Sequence, residues 1–128
     1  MRLHHVAIVC TSKENADRFY IGILGLKQTK ISKLDKDLSK QLFNIAKECQ
    51  IILYSNENFT VEAFVAGPST LETTSFTHLC LEVEDRDVFL RSCQAAGLEV
   101  NQVSKGDSLV TFVQDYDGNL FEIKELPK

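Results

Sequence analysis

Hydrophobic and polar positions along the chain change period twice, in the same order. From residue 2 to 10 they alternate, with Val6, Ile8 and Cys10 on one face and His5, Ala7 and Val9 on the other, which predicts a strand. Ala16, Phe19, Tyr20, Ile23 and Leu24 then recur at the i, i+3, i+4, i+7, i+8 spacing of a buried helical stripe. Thr11 with Glu14 fits a capping box at the start of that helix, and Gly25 supplies its stop. Beyond it the pattern predicts a strand near 26–33, an irregular or helical piece near 36–47, a strand at 50–55, a turn at Glu57-Asn58 and a strand at 59–65.

Residues 66–75 break the periodicity and are rich in turn formers, so they are expected to link a module at 1–65 to a second at 76–128. The second module repeats the order: a strand at 76–83, a helix from Val88 to Ala96 capped by Asp85 and stopped by Gly97, then strands near 98–104, 108–114 and 119–125. His5 precedes Gly25 by 25 − 5 = 20 positions and His78 precedes Gly97 by 97 − 78 = 19, so the two halves read as a duplication. A four-stranded sheet with one helix on its back leaves its other face uncovered. The expected fold class is therefore α+β, two βαβββ modules in tandem forming a cavity between curved mixed sheets, with a ligand in that cavity.

Composition narrows the setting. The chain has 128 residues, 44% hydrophobic and 25% charged, which is material for a single domain with one core. Its 14 basic and 18 acidic residues give a net charge of −4, so no nucleic-acid partner is expected, and the lysines at 27, 30, 33, 36 and 40 read as a solvated face. No apolar run approaches a membrane span or a secretory core, so a cytoplasmic protein without membrane association is expected. Cys10, Cys49, Cys80 and Cys93 are widely spaced and read as reduced thiols, Cys80 sharing a strand face with His78.

The chemistry sits at matched positions of the two modules. His5 and His78 each open an apolar strand. The run Asp115-Tyr116-Asp117-Gly118-Asn119-Leu120-Phe121-Glu122-Ile123 places Glu122 in the last strand, pointing away from the apolar face of Phe121 and Ile123, and Glu62 between Val61 and Ala63 is its counterpart. Two neutral imidazoles and two carboxylates suit a borderline divalent ion, Ni²⁺, Zn²⁺, Co²⁺, Mn²⁺ or Fe²⁺, acting as a Lewis acid. His4 is expected on the opposite face without a role, and Tyr54 and Tyr116 are open between reaching a pocket and packing at an edge.

Together these features resemble the vicinal oxygen chelate superfamily, which includes glyoxalase I, methylmalonyl-CoA epimerase, extradiol dioxygenases, and fosfomycin and bleomycin resistance proteins. The resemblance is carried by His5-Val6-Ala7-Ile8-Val9, by Phe19-Tyr20 and Ile23-Leu24-Gly25-Leu26, by His78-Leu79-Cys80-Leu81-Glu82-Val83, and by Asp-x-Asp-Gly-Asn-x-x-Glu at 115–122. It implies metal ligands at His5, Glu62, His78 and Glu122, with Glu122 or Glu62 as the general base that moves a proton beside a carbonyl on a small, metal-chelated substrate. It also implies a homodimer. Bacterial glyoxalase I enzymes typically carry an Arg and an Asn four residues after the first and second ligands to hold glutathione; Val9 and Ala66 stand there, so glutathione dependence is not expected. The expected activity is a glyoxalase I-like metal-dependent lyase or isomerase, the alternative being a metal-free small-molecule binding protein of the bleomycin-resistance kind.

Overall fold

Ile8 and Cys10 are buried while Ala7 is exposed and Val9 only half-buried, so the first alternating segment does form a strand, β1, over Val6–Cys10. A computed structural model describes residues 1–68 and 76–128, and the chain divides into two compact units, Met1–Thr70 and Leu71–Lys128. After β1 the first unit continues with α1 (Lys13–Ala16), a π-helical turn (Asp17–Ile21), β2 (Lys27–Leu34), α2 (Lys36–Phe43), β3 (Cys49–Ser55) and β4 (Thr60–Val65). Its sheet runs β1-β4-β3-β2, with β1 parallel to β4 and the other neighbours antiparallel.

The first helix departs from expectation at both ends. Ser12, not Thr11, is its cap: Ser12 has an extended backbone and its Oγ accepts the Asn15 N–H at 3.1 Å, while Thr11 Oγ1 accepts the Asn15 side-chain amide at 3.1 Å. Farther on, the N–H of Leu24 bonds the carbonyl of Phe19, an i to i−5 step that widens the turn. Ala16, Phe19 and Tyr20 stay buried, but Ile23 and Leu24 rotate off the stripe and are only half-buried, and Leu26 takes the core position instead. Gly22 permits this turn, since a Cβ there would lie 2.4 Å from the Arg18 carbonyl oxygen.

One face of this sheet holds the core. Ile52, Tyr54, Val61 and Ala63 join Ile8 and Cys10 beneath Phe19, Tyr20 and Leu26, the Tyr20 and Tyr54 rings stacking at 5.5 Å. Tyr54 is thus a core residue, and its hydroxyl donates to Asp17 Oδ1 at 2.7 Å. Its buried, carboxylate-bound phenol is held well above the ordinary tyrosine range, chiefly by burial and then by Asp17.

The second unit comprises β5 (Leu79–Val83), α3 (Arg86–Ala95), β6 (Val100–Lys105), β7 (Ser108–Gln114) and β8 (Leu120–Glu125), in the sheet order β5-β8-β7-β6. Asp85 caps α3 by accepting the Val88 N–H at 2.9 Å, and Gly97 at φ +80° ends it, as expected. Leu90 and Cys93 of α3 are buried with Val113, Phe121 and Ile123, and burial pushes the Cys93 thiol up to about 11. Tyr116 also packs: its hydroxyl donates to the Ala96 carbonyl at 2.7 Å. Among the described residues the fold is α+β, two four-stranded mixed sheets and three α-helices in a tandem βαβββ arrangement. Most of the expected linker, residues 69–75, lies outside the described residues. Among the described residues no helix is long and apolar enough to cross a membrane.

Candidate functional site

Strand register decides which side chains meet. In the first unit Ala7 pairs with Glu62, and in the second Cys80 pairs with Glu122. Each histidine lies two residues before that pairing point, immediately ahead of its strand, and its contact with the glutamate places His5 on the face of Glu62 and His78 on the face of Glu122. Both faces are the ones turned away from the helix-packed core.

The two pairs match closely in distance. His5 Nε2 lies 3.6 Å from Glu62 Oε2, and His78 Nε2 lies 3.5 Å from Glu122 Oε2. The histidine side chains are 36% and 35% exposed and the glutamates 23% and 22%, so the duplication extends to the solvent access of each donor. The structure therefore brings His5 to Glu62 and His78 to Glu122. Among the described residues no group of three or more His, Cys, Asp or Glu side chains gathers as a ready cluster.

Tautomer selection is visible at His78. Its Nδ1 lies 2.8 Å from the Phe76 carbonyl oxygen, which can only accept, so Nδ1 carries the hydrogen and donates. The Phe112 ring, edge-on at 5.1 Å, limits the imidazole's rotation. In the neutral ring Nε2 is then a lone pair facing a carboxylate oxygen, and two acceptors that close call for a proton or a cation between them. At His5 the corresponding contact is a 2.8 Å hydrogen bond between Nδ1 of His5 and Nδ1 of His4. The expectation that His4 points away from His5 is thereby corrected: its ring meets that of His5 edge-on at 5.1 Å, with its Nδ1 against the His5 nitrogen distal to Glu62. Alternation put His4 on the opposite face, but β1 begins only at Val6, so strand alternation does not govern residues 4 and 5.

Glu122 owes its placement to the turn before it. Asp115, buried between β7 and β8, accepts the N–H groups of Asp117 and Asn119 on Oδ1, both at 2.9 Å, and the Asn119 side-chain amide on Oδ2 at 2.8 Å. Gly118 closes the loop at φ +87°. The turn motif was visible in the sequence, but Asp115 as its organising acceptor was not singled out.

The remaining side chains on these faces differ between units. Val9 pairs with Phe64 in the first, and the Phe43 ring of α2 meets Phe64 edge-on at 5.5 Å. In the second, the corresponding positions are Glu82 and Lys124, the latter 4.0 Å from Glu122 Oε1.

A family model for the glyoxalase/bleomycin resistance protein/dioxygenase superfamily matches residues 4–112, which include His5, Glu62 and His78. The chain belongs to this superfamily. Solved structures agree on the fold. The genomically encoded fosfomycin resistance protein FosX of Listeria monocytogenes is similar with a TM-score of 0.73 at 11% identity, over 99% of this chain and 94% of that one. A glyoxalase family protein of Bacillus cereus has a TM-score of 0.72 at 17% identity, over 98% and 93%. A glyoxalase family protein of Enterococcus faecalis has a TM-score of 0.70 at 20% identity, over 95% and 95%. A search of curated proteins found no match. At these identities the neighbours establish the superfamily's architecture, and the chemistry has to be argued from this chain's own side chains.

Proposed function

We propose that this superfamily member is a glyoxalase I-like, metal-dependent lyase or isomerase that moves a proton beside a carbonyl on a small oxygenated substrate. The observation that carries the reading is the repeated His–Glu pair, the same distance and exposure recurring in both units with each histidine's second nitrogen already engaged. His5, Glu62, His78 and Glu122 are the proposed ligands of a divalent ion. The Mn(II) present in crystals of FosX neighbours is consistent with an ion of this kind on this fold.

A divalent ion bound there would supply a Lewis acid for adjacent substrate oxygens. The chain's own part is to present two neutral imidazole nitrogens and two carboxylates. Glu122 or Glu62 is the proposed general base, since a partly exposed carboxylate beside the substrate oxygens can accept a proton and return it. Val9 and Phe64 offer no cation to a glutathione carboxylate on the first unit's face, so the substrate is a different one. A homodimer forms part of the same proposal.

The test is metal content after reconstitution with Ni²⁺, Zn²⁺, Mn²⁺ or Fe²⁺, in the wild type and in His5→Ala, His78→Ala and Glu62→Gln. Stoichiometric metal in the wild type and its loss in the histidine variants supports the reading. Full metal in both histidine variants overturns the ligand assignment. No metal under any condition moves the protein to the metal-free binding class.

A further inference from the structure

Beside the His78–Glu122 pair the second unit carries a cavity of about 520 Å³, lined by Glu99, Val100, Asn101, Phe112, Gln114 and Leu120. Its volume lies within the range of small-molecule sites. Register ties it to the pair. Asn101 pairs with Phe112, Phe112 with Glu122, and Glu122 with Cys80, so one row of same-facing side chains crosses the sheet from the cavity to the carboxylate. A second row, one pleat along, holds Gln114 and Leu120, which pair with each other, and continues toward His78. Phe112 joins the two regions physically, as both a cavity wall and the ring against His78.

The lining selects by charge. It contains no Lys, Arg or His, and its one ionisable group is the Glu99 carboxylate. Lys124 stands on the far side of the row, 4.0 Å from Glu122 and paired in register with Glu82. An anionic group in the cavity would meet the like charge of Glu99 with no cation in the lining to neutralise it. The side-chain amides of Asn101 and Gln114 each offer donors and an acceptor, and the Phe112 ring offers an apolar wall.

We propose that this cavity is the substrate-recognition pocket and that it selects an uncharged molecule. The molecule carries adjacent oxygens at one end, a flat or apolar body over Phe112, and a neutral hydrogen-bonding group held by Asn101 and Gln114 at the other. Asn101 is two strands from Glu122, so the span from chelating oxygens to polar tail is about 10 Å. The proposal rests on the metal-site reading for the position of the chelating end, but the pocket assignment is read out separately.

The probes are 3,4-dihydroxybenzamide and 3,4-dihydroxybenzoate, which share size and vicinal oxygens and differ in charge at the tail. Binding to the Zn²⁺-loaded protein is measured by calorimetry, and the side-chain NH₂ resonances of Asn101 and Gln114 are followed by NMR with and without zinc. The benzamide is expected to bind at least tenfold more tightly than the benzoate and to shift both NH₂ pairs. Asn101→Ala/Gln114→Ala is expected to erase the preference with zinc content unchanged, and Glu99→Gln to improve benzoate binding. Equal affinities at full zinc occupancy, or a preference that survives the double variant, overturns the pocket and leaves the metal site standing. Absence of zinc uptake defeats the metal reading, and in that case shifted NH₂ resonances in metal-free protein still support the pocket while unshifted ones overturn it.

Discussion

Cys80 stands directly beside Glu122 in the parallel pairing of β5 with β8, the place that Ala7 holds beside Glu62 in the first unit. Cys80 is also the exposed cysteine of the four, Cys10 and Cys93 being buried and Cys49 intermediate. It therefore reports on the second pair. A thiol reagent at mildly alkaline pH is expected to label Cys80 first, and saturating Zn²⁺ to slow that labelling tenfold or more in the wild type. His78→Ala is expected to abolish the protection; labelling kinetics with peptide mapping check it.

His4 is expected to act on metal affinity without touching the ion. With His5 Nε2 as the proposed metal-binding lone pair, the ring hydrogen of His5 sits on Nδ1, and His4 Nδ1, 2.8 Å away, is its acceptor. Partners of this sort are commonly worth ten- to a hundredfold in affinity. His4→Ala should weaken metal binding by about tenfold, and His4→Asn, whose amide oxygen can accept the same hydrogen, should recover part of the loss. Competition against a chromophoric chelator measures both.

Asp115→Ala should destabilise the protein by about 2–3 kcal/mol, since it leaves two backbone N–H groups and an amide without their acceptor at a buried turn. It should also weaken metal binding through Glu122, which that turn positions. Asp115→Asn keeps an oxygen for the backbone donors and should cost less. Urea denaturation and a metal titration separate the two effects.

Alkaline pH should destabilise the first unit through Tyr54. Its folded-state pKa is raised, by burial and then by the bond to Asp17, above the 10.0 of a free phenol. An unfolded chain thus releases this proton at lower pH than the folded one, so the stabilisation is complete below pH 10 and falls as pH climbs above it. Tyr54→Phe should cost about 1.5–3 kcal/mol at neutral pH, the usual worth of a hydrogen bond to a charged group. The variant should lose less stability than the wild type between pH 10 and 11.5. Cys93, raised from 9.0 to about 11 by burial, should contribute a similar decline in the second unit beginning near pH 9.

Most of the fold was legible because both units rest on period. The strand at 108–114 lies where alternation put it, and Asp85 and Gly97 bound α3 as their side-chain and backbone chemistry dictates. The misplaced details share a cause, a local competition that pattern alone does not resolve. Thr11 and Ser12 both carry hydroxyls suited to a cap, and backbone conformation chose Ser12. The stripe through Ile23 and Leu24 assumed an unbroken α-helix, whereas Gly22 allows a wider turn. At the site, duplication made the matched positions of the two histidines and two glutamates readable, while the pairing of each histidine with its own unit's glutamate came from strand register. The contacts of His4 and Asp115 depend on which ring nitrogen or carboxylate oxygen faces which neighbour, information that residue identity does not contain.

β1 and β5 are edge strands, each held through only five register pairs to the interior strand that carries the glutamate. In sequence the partners are 62 − 5 = 57 and 122 − 78 = 44 positions apart, so each pair ties the opening of its unit to the close. Peeling an edge strand is among the least costly ways for a sheet to open, and it would part the histidine from the glutamate. An ion shared by the two would then serve as a rivet on that seam, and hydrogen exchange along β1 and β5 would slow in step with its occupancy.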